Sequence, residues 1–183
     1  MFKARDLALI GIFIALLIGG QFALSFVAGV EIVTVLILSF AFYFGLKRSL
    51  IVVNAYNILR CFLFGFFPSV IILYAVYFNL FVILFSFIGR KFNGKLTVLR
   101  LVFTVAVVSL CTACFTLLDD IITPLFYGFN LKTALAYFYA SLPTMALQTV
   151  NAVVTVSILL PLLIKAYSLI FPDKKEKRVG RKG

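Results

Sequence analysis

The 183-residue chain has no histidine, and so lacks the commonest general base and the commonest metal ligand. It has no tryptophan either. Charge is scarce: 13% of residues are charged, and only 6 are acidic. A soluble domain carries about a quarter charged residues. Cysteine is limited to Cys61, Cys111 and Cys114. The last two form a C-x-x-C inside an apolar run. Without a second pair or a histidine, that spacing does not make a zinc site, and both are read as small apolar helix residues. No G-x-x-x-x-G-K-[ST] loop is present to cradle nucleotide phosphates. Neither a metal nor a cofactor is expected, and an ordinary soluble domain is excluded.

Apolar residues fill the space, at 64% of the chain. A membrane-crossing helix needs roughly 20 of them. Six apolar stretches stand out, at 7–26, 32–44, 50–66, 70–88, 96–118 and 134–170. The second is short for a crossing. The last is too long for one simple span, and Pro143 and Pro161 within it are expected to end or kink a helix. The first has a basic start but no convincing small-residue cleavage site, and is expected to be a retained helix. The predicted fold class is an all-α membrane protein of six transmembrane helices. Residues 1–172 form one helical domain, and 173–183 a basic tail that suits a lipid surface.

Fifteen of the 17 Lys and Arg residues fall on one side of this arrangement. They lie at Lys3 and Arg5, Lys47 and Arg48, Arg90 to Arg100, and Lys165 to Lys182. Lys132 falls on the other side with Glu31, Asp119 and Asp120, and Arg60 lies within a span. Lys/Arg-rich loops stay in the cytoplasm, so both termini are predicted to be cytoplasmic. This distribution reads as membrane topology, not as a nucleic-acid surface.

Polarity inside a bilayer is expensive, so its depth is informative. Gln21 and Ser25 come late in the outward first span, and Glu31 and Thr34 early in the second. Arg60 lies in the outer half of the third. Tyr74, Tyr77 and Asn79 come early in the fourth. Thr112, Thr116, Asp119 and Asp120 come late in the fifth, and Thr144, Gln148 and Asn151 follow in the sixth. All six spans are polar toward the outside and apolar toward the cytoplasm. A channel or proton relay needs polarity through the full thickness. An outward-facing pocket does not, and that is what this pattern predicts.

Candidate ligand residues are Asn57, Arg60, Tyr74, Tyr77, Gln148 and Asn151. Thr144, Gln148, Asn151 and Thr155 share one helix face, as do Thr112, Thr116, Asp119 and Thr123, and as do Asn54, Asn57 and Cys61. Helix–helix hydrogen bonding accounts for any single one of these residues equally well. Arg60 requires a carboxylate (Glu31, Asp119 or Asp120) or an anionic ligand. With Asn54, Asn57, Gln148 and Asn151 it suits an anionic or amide-rich molecule. Asp119 and Asp120 point about 100° apart on a helix, which argues against an aspartyl dyad. They read as a span-end cap and a candidate ligand contact.

Ala4, Ala8, Gly11, Ala15 and Gly19 step by four, three, four and four along the first span. Such a small-residue stripe lets another helix approach closely, either within the chain or from a partner. Together with Glu31-Ile-Val-Thr, Phe44-Gly-Leu-Lys, Gly65-Phe-Phe-Pro68 and Tyr74, this stripe resembles the substrate-binding S component of energy-coupling factor vitamin transporters. The family motif is Ala-x-x-x-Ala, matched by Ala4 and Ala8 and, with Gly in first place, by Gly11 and Ala15. The resemblance implies a non-enzymatic membrane subunit that captures a vitamin-like small molecule at the outer face. It implies that Ala4, Ala8, Gly11 and Ala15 pack on a transmembrane T component driven by two cytosolic ATPases, in a bacterial plasma membrane. A small cell-shape-type scaffold is the alternative, and it leaves a polar outer pocket unexplained. An intramembrane enzyme lacks its residues here, and a solitary carrier lacks internal repeats.

Overall fold

A computed structural model describes residues 4–24 and 32–171. It shows six helices: α1 (Ala4–Leu24), α2 (Val33–Phe44), α3 (Leu46–Phe64), α4 (Pro68–Lys91), α5 (Val98–Tyr127) and α6 (Leu131–Ile170). Glu31, Ser25 and the tail 173–183 lie outside the described residues. The all-α bundle of six helices agrees with the expected class. Four helices, α1, α4, α5 and α6, are long and apolar enough to cross a membrane. At 1.5 Å per residue the 12 residues of α2 reach roughly 18 Å, short of the ~30 Å hydrocarbon core. α3 has 19 residues but carries Lys47, Arg48 and Arg60.

α2 is the hub. It is apolar on every side, as suits a helix buried in a core or facing lipid. All twelve of its residues are buried, against α1, α3, α4 and α6. Its Ser39 hydroxyl is satisfied by the Leu36 carbonyl at 2.8 Å and by the Tyr167 hydroxyl at 3.1 Å. α4 passes close against it at Gly89. A Cβ there would overlap the Phe42 carbonyl oxygen and sit 2.7 Å from Phe42 Cα, so only glycine permits this crossing. α3 is tied to α4 by a reciprocal amide pair: Asn54 Nδ2 donates to Asn79 Oδ1 at 3.0 Å, and Asn79 Nδ2 returns the bond at 3.2 Å. Asn54 therefore does interhelical work.

α1 buries Ile10, Phe13 and Leu17, spaced three and four apart, with Phe13 4.3 Å from Phe40 between ring centroids. Its small-residue stripe lies on the other side. Ala4, Ala8, Gly11, Ala15 and Gly19 are all exposed, and a Cβ on Gly11 or Gly19 would meet nothing within 4 Å. Packing of the stripe inside the chain, open as an alternative from spacing, is not what the described residues show.

One end of the bundle collects positive charge. Asp6 of α1 pairs with Arg48 of α3 at 2.8 Å. Arg5 lies over Phe171, just past α6, at 5.0 Å. Phe42, near the end of α2, packs on Phe92, just past α4, at 6.2 Å. Arg100 of α5 donates to the Phe92 and Lys95 carbonyls at 3.1 and 3.2 Å, clipping the α4–α5 turn. The two ends of the described chain therefore meet on the basic side.

The fifth and sixth helices are longer than their apolar runs. α5 continues past 118 to Tyr127, which places Asp119 and Asp120 inside the helix and corrects their reading as a span-end cap. α6 begins at Leu131 and runs 40 residues, roughly 60 Å, through both Pro143 and Pro161. Neither proline ends it.

Candidate functional site

The α5–α6 hairpin is built by its turn. Gly128 closes α5 in the left-handed conformation at φ +64°, which glycine adopts without a Cβ clash. Two residues later Asn130 caps α6, its side-chain oxygen accepting from the Thr133 N–H at 2.9 Å. So short a turn lays the two long helices against each other along their polar faces.

Those faces interlock through hydroxyls and carboxylates. Tyr137 donates to Asp119 Oδ2 at 2.7 Å, and Thr123 to Asp119 Oδ1 at 2.7 Å. Ser141 donates to Asp120 Oδ2 at 2.7 Å. Thr116, buried, donates to Gln148 Oε1 at 3.3 Å. Beside these bonds the helices leave an open cavity of about 240 Å³, lined by Phe115, Thr116, Asp119, Tyr137, Ala140, Ser141, Thr144 and Gln148. Asp119 is its one charged lining residue.

Four of the six sequence-derived ligand residues, Gln148, Tyr74, Tyr77 and Arg60, are linked through Phe115 in a chain of contacts leading away from this cavity. Gln148 lines it. Tyr74 and Tyr77 pack on Phe115 at 5.7 and 4.7 Å between ring centroids, and Phe115 forms one wall. Arg60 reaches Tyr74, its guanidinium 4.2 Å from the ring centroid, with Phe64 at 5.6 Å. Asn57 lies one turn back on α3. Both of its amide atoms and Arg60 Nε are buried without a hydrogen-bond partner. Asn151 is half-buried one turn beyond Gln148, outside the cavity lining.

No carboxylate among the described residues pairs with Arg60. Asp119 and Asp120 bond hydroxyls of their own hairpin instead, and Glu31 lies outside the described residues. The guanidinium rests on aromatic faces, which attract a cation through the ring quadrupole.

Tyr137 and Ser141 were missed as candidates. They stand at the i−11 and i−7 positions from Gln148, so Tyr137, Ser141, Thr144 and Gln148 step by four, three and four. The stripe read from Thr144 onward simply extends two further members toward the turn. Among the described residues no group of three His, Cys, Asp or Glu side chains could hold a metal ion. Cys61, Cys111 and Cys114 are free thiols.

Fold and site together define a multi-spanning helical membrane bundle with an open, acid-bearing cavity in its longest hairpin. Compared with known protein families, curated proteins and solved structures, the chain gives no match.

Proposed function

We propose that the chain is the substrate-capture subunit of an energy-coupling-factor-type importer. It lies in a bacterial plasma membrane with both termini in the cytoplasm. It binds a vitamin-like small molecule at its outer end and hands it on through a T component powered by two cytosolic ATPases. It catalyses no reaction itself. The observation that carries this proposal is the open cavity between α5 and α6, at the end of the bundle opposite the basic cluster. The scaffold alternative gives that cavity no role.

The exposed stripe of Ala4, Ala8, Gly11 and Ala15 supports the partner half of the proposal. Exposed small side chains let a second helix backbone approach closely, where packing and not the hydrophobic effect drives association in lipid. Gly11→Leu tests it. A Cβ there meets nothing within 4 Å among the described residues, and a branched side chain would obstruct a docked helix. Co-purification with a T component and uptake should fall, while the melting temperature and ligand binding of the isolated chain should hold. Loss of binding to the same degree would show that the stripe serves the chain's own packing.

A further inference from the structure

We propose that the α5–α6 cavity takes a small organic cation, a protonated amine or amidine of about single-ring size, with Asp119 as its counter-charge. This rests on the capture function proposed above and specifies its substrate class.

The hydrogen-bond polarity of the walls carries the assignment. Three lining hydroxyls already have their protons committed: Thr116 to Gln148 Oε1, Tyr137 to Asp119 Oδ2, and Ser141 to Asp120 Oδ2 and the Phe138 carbonyl, which share one proton. A hydroxyl has one proton to give and two lone pairs to offer. What these three residues still offer a guest is therefore oxygen acceptors. Asp119 adds more of the same. Its Oδ1 accepts from Thr123 and its Oδ2 from Tyr137, and each oxygen retains a further acceptor site. The neighbouring Asp120 lies outside the lining, accepting from Ser141 through Oδ2, with Oδ1 buried and without a partner. Gln148 Nε2 and the Thr144 hydroxyl are the side-chain donors that line the cavity; elsewhere along its walls an anion would face acceptors and like charge. A donor-rich cation would find both its hydrogen bonds and its counter-ion.

The remaining surfaces agree. Two aromatic residues, Phe115 and Tyr137, are among the lining, and aromatic rings attract a cation. No basic residue lines the cavity: Arg60 is stacked on Tyr74, and Lys132 lies outside the lining. The about 240 Å³ volume is just below the roughly 300–1,000 Å³ of drug-sized sites, so the guest is compact. Arg60 with Asn54, Asn57, Gln148 and Asn151 suggests an anionic or amide-rich ligand, and the proposed cation departs from that expectation because Arg60 lies outside the cavity lining.

Benzamidine, benzamide and benzoate share one shape and differ in charge, which makes them the probes. Binding of each to the full chain in lipid nanodiscs is measured by equilibrium dialysis. Benzamidine should bind at least tenfold tighter than the other two. Asp119→Asn should weaken it by tenfold or more, as expected for loss of one charge-assisted hydrogen bond. Ala140→Leu fills the cavity without touching a charge, and should abolish binding in a chain whose melting temperature is retained. Benzoate or benzamide binding as well as benzamidine, and lost in Ala140→Leu, would overturn the cation and leave capture standing. Benzamidine binding that neither variant changes, or no binding of benzamidine at all, would also overturn it. The capture function is judged separately, by the Gly11→Leu comparison.

Discussion

The guanidinium of Arg60 on α3 lies 4.2 Å from the centroid of the Tyr74 ring on α4, and no carboxylate among the described residues accompanies it. A cation over an aromatic face gains about 0.5–1 kcal/mol when exposed and about 2 kcal/mol when desolvated. Arg60 is half-buried with its Nε enclosed, so an intermediate value applies. Tyr74→Leu removes the face and leaves the charge, while Arg60→Leu removes the charge and leaves the face. A double-mutant cycle on reversible unfolding in detergent should return a coupling of roughly 1 kcal/mol. Strict additivity would show that the two side chains are merely adjacent.

Two glycines with opposite surroundings give a second prediction. Gly89 faces the Phe42 backbone across the α2–α4 crossing, and its missing Cβ is what allows the approach. Backbone cannot rotate aside as a side chain can. Gly89→Ala should destabilise the bundle by about 1–3 kcal/mol, the usual range for overpacking. Gly11 faces open space on the same measure. Gly11→Ala should leave stability unchanged or raise it slightly, since alanine is the better helix former by about 1 kcal/mol. Melting temperatures of the two variants in one detergent check both. Equal shifts would mean that α2 and α4 are not packed this closely.

The number of helices was legible because each apolar run is long or sharply bounded. α2 was legible as a short stretch, but not its burial, since a helix apolar on all sides can lie in a core or face lipid. Helix ends were less legible. Apolarity stops near Leu118, but a helix propagates until its backbone is capped, here at Gly128 and Asn130, whose residue types were in plain view. The site was legible face by face and not between faces. Asn54 and Asn57 share a stripe, yet Asn54 bonds Asn79 on α4 while the Asn57 amide bonds nothing. Which of two neighbours along a stripe meets another helix depends on crossing angle and register. The pairing of Asp119 with Tyr137 and of Asp120 with Ser141 is of the same kind. It is set by the register of α5 on α6, which periodicity within either helix does not encode.

Topology decides whether the cavity can work from outside. Asp6 and Arg48, Arg5 and Phe171, and Arg100 and Phe92 place basic residues from three helices, α1, α3 and α5, at one end of the bundle. Asp119 and Asp120 lie toward the other, in the hairpin that ends at Gly128. A bilayer retains Lys- and Arg-rich segments on its cytoplasmic side, and carboxylates count for little in that rule. The basic end should therefore face the cytoplasm. A background with Cys61, Cys111 and Cys114 replaced by alanine allows single reporters. Asn93→Cys sits in the α4–α5 turn, and Phe129→Cys in the α5–α6 turn. A membrane-impermeant maleimide added to intact cells should label position 129 and spare position 93 until the membrane is opened. The reverse labelling would turn the cavity toward the cytoplasm. A subunit in that orientation would meet no external solute, and the capture function would fall with it.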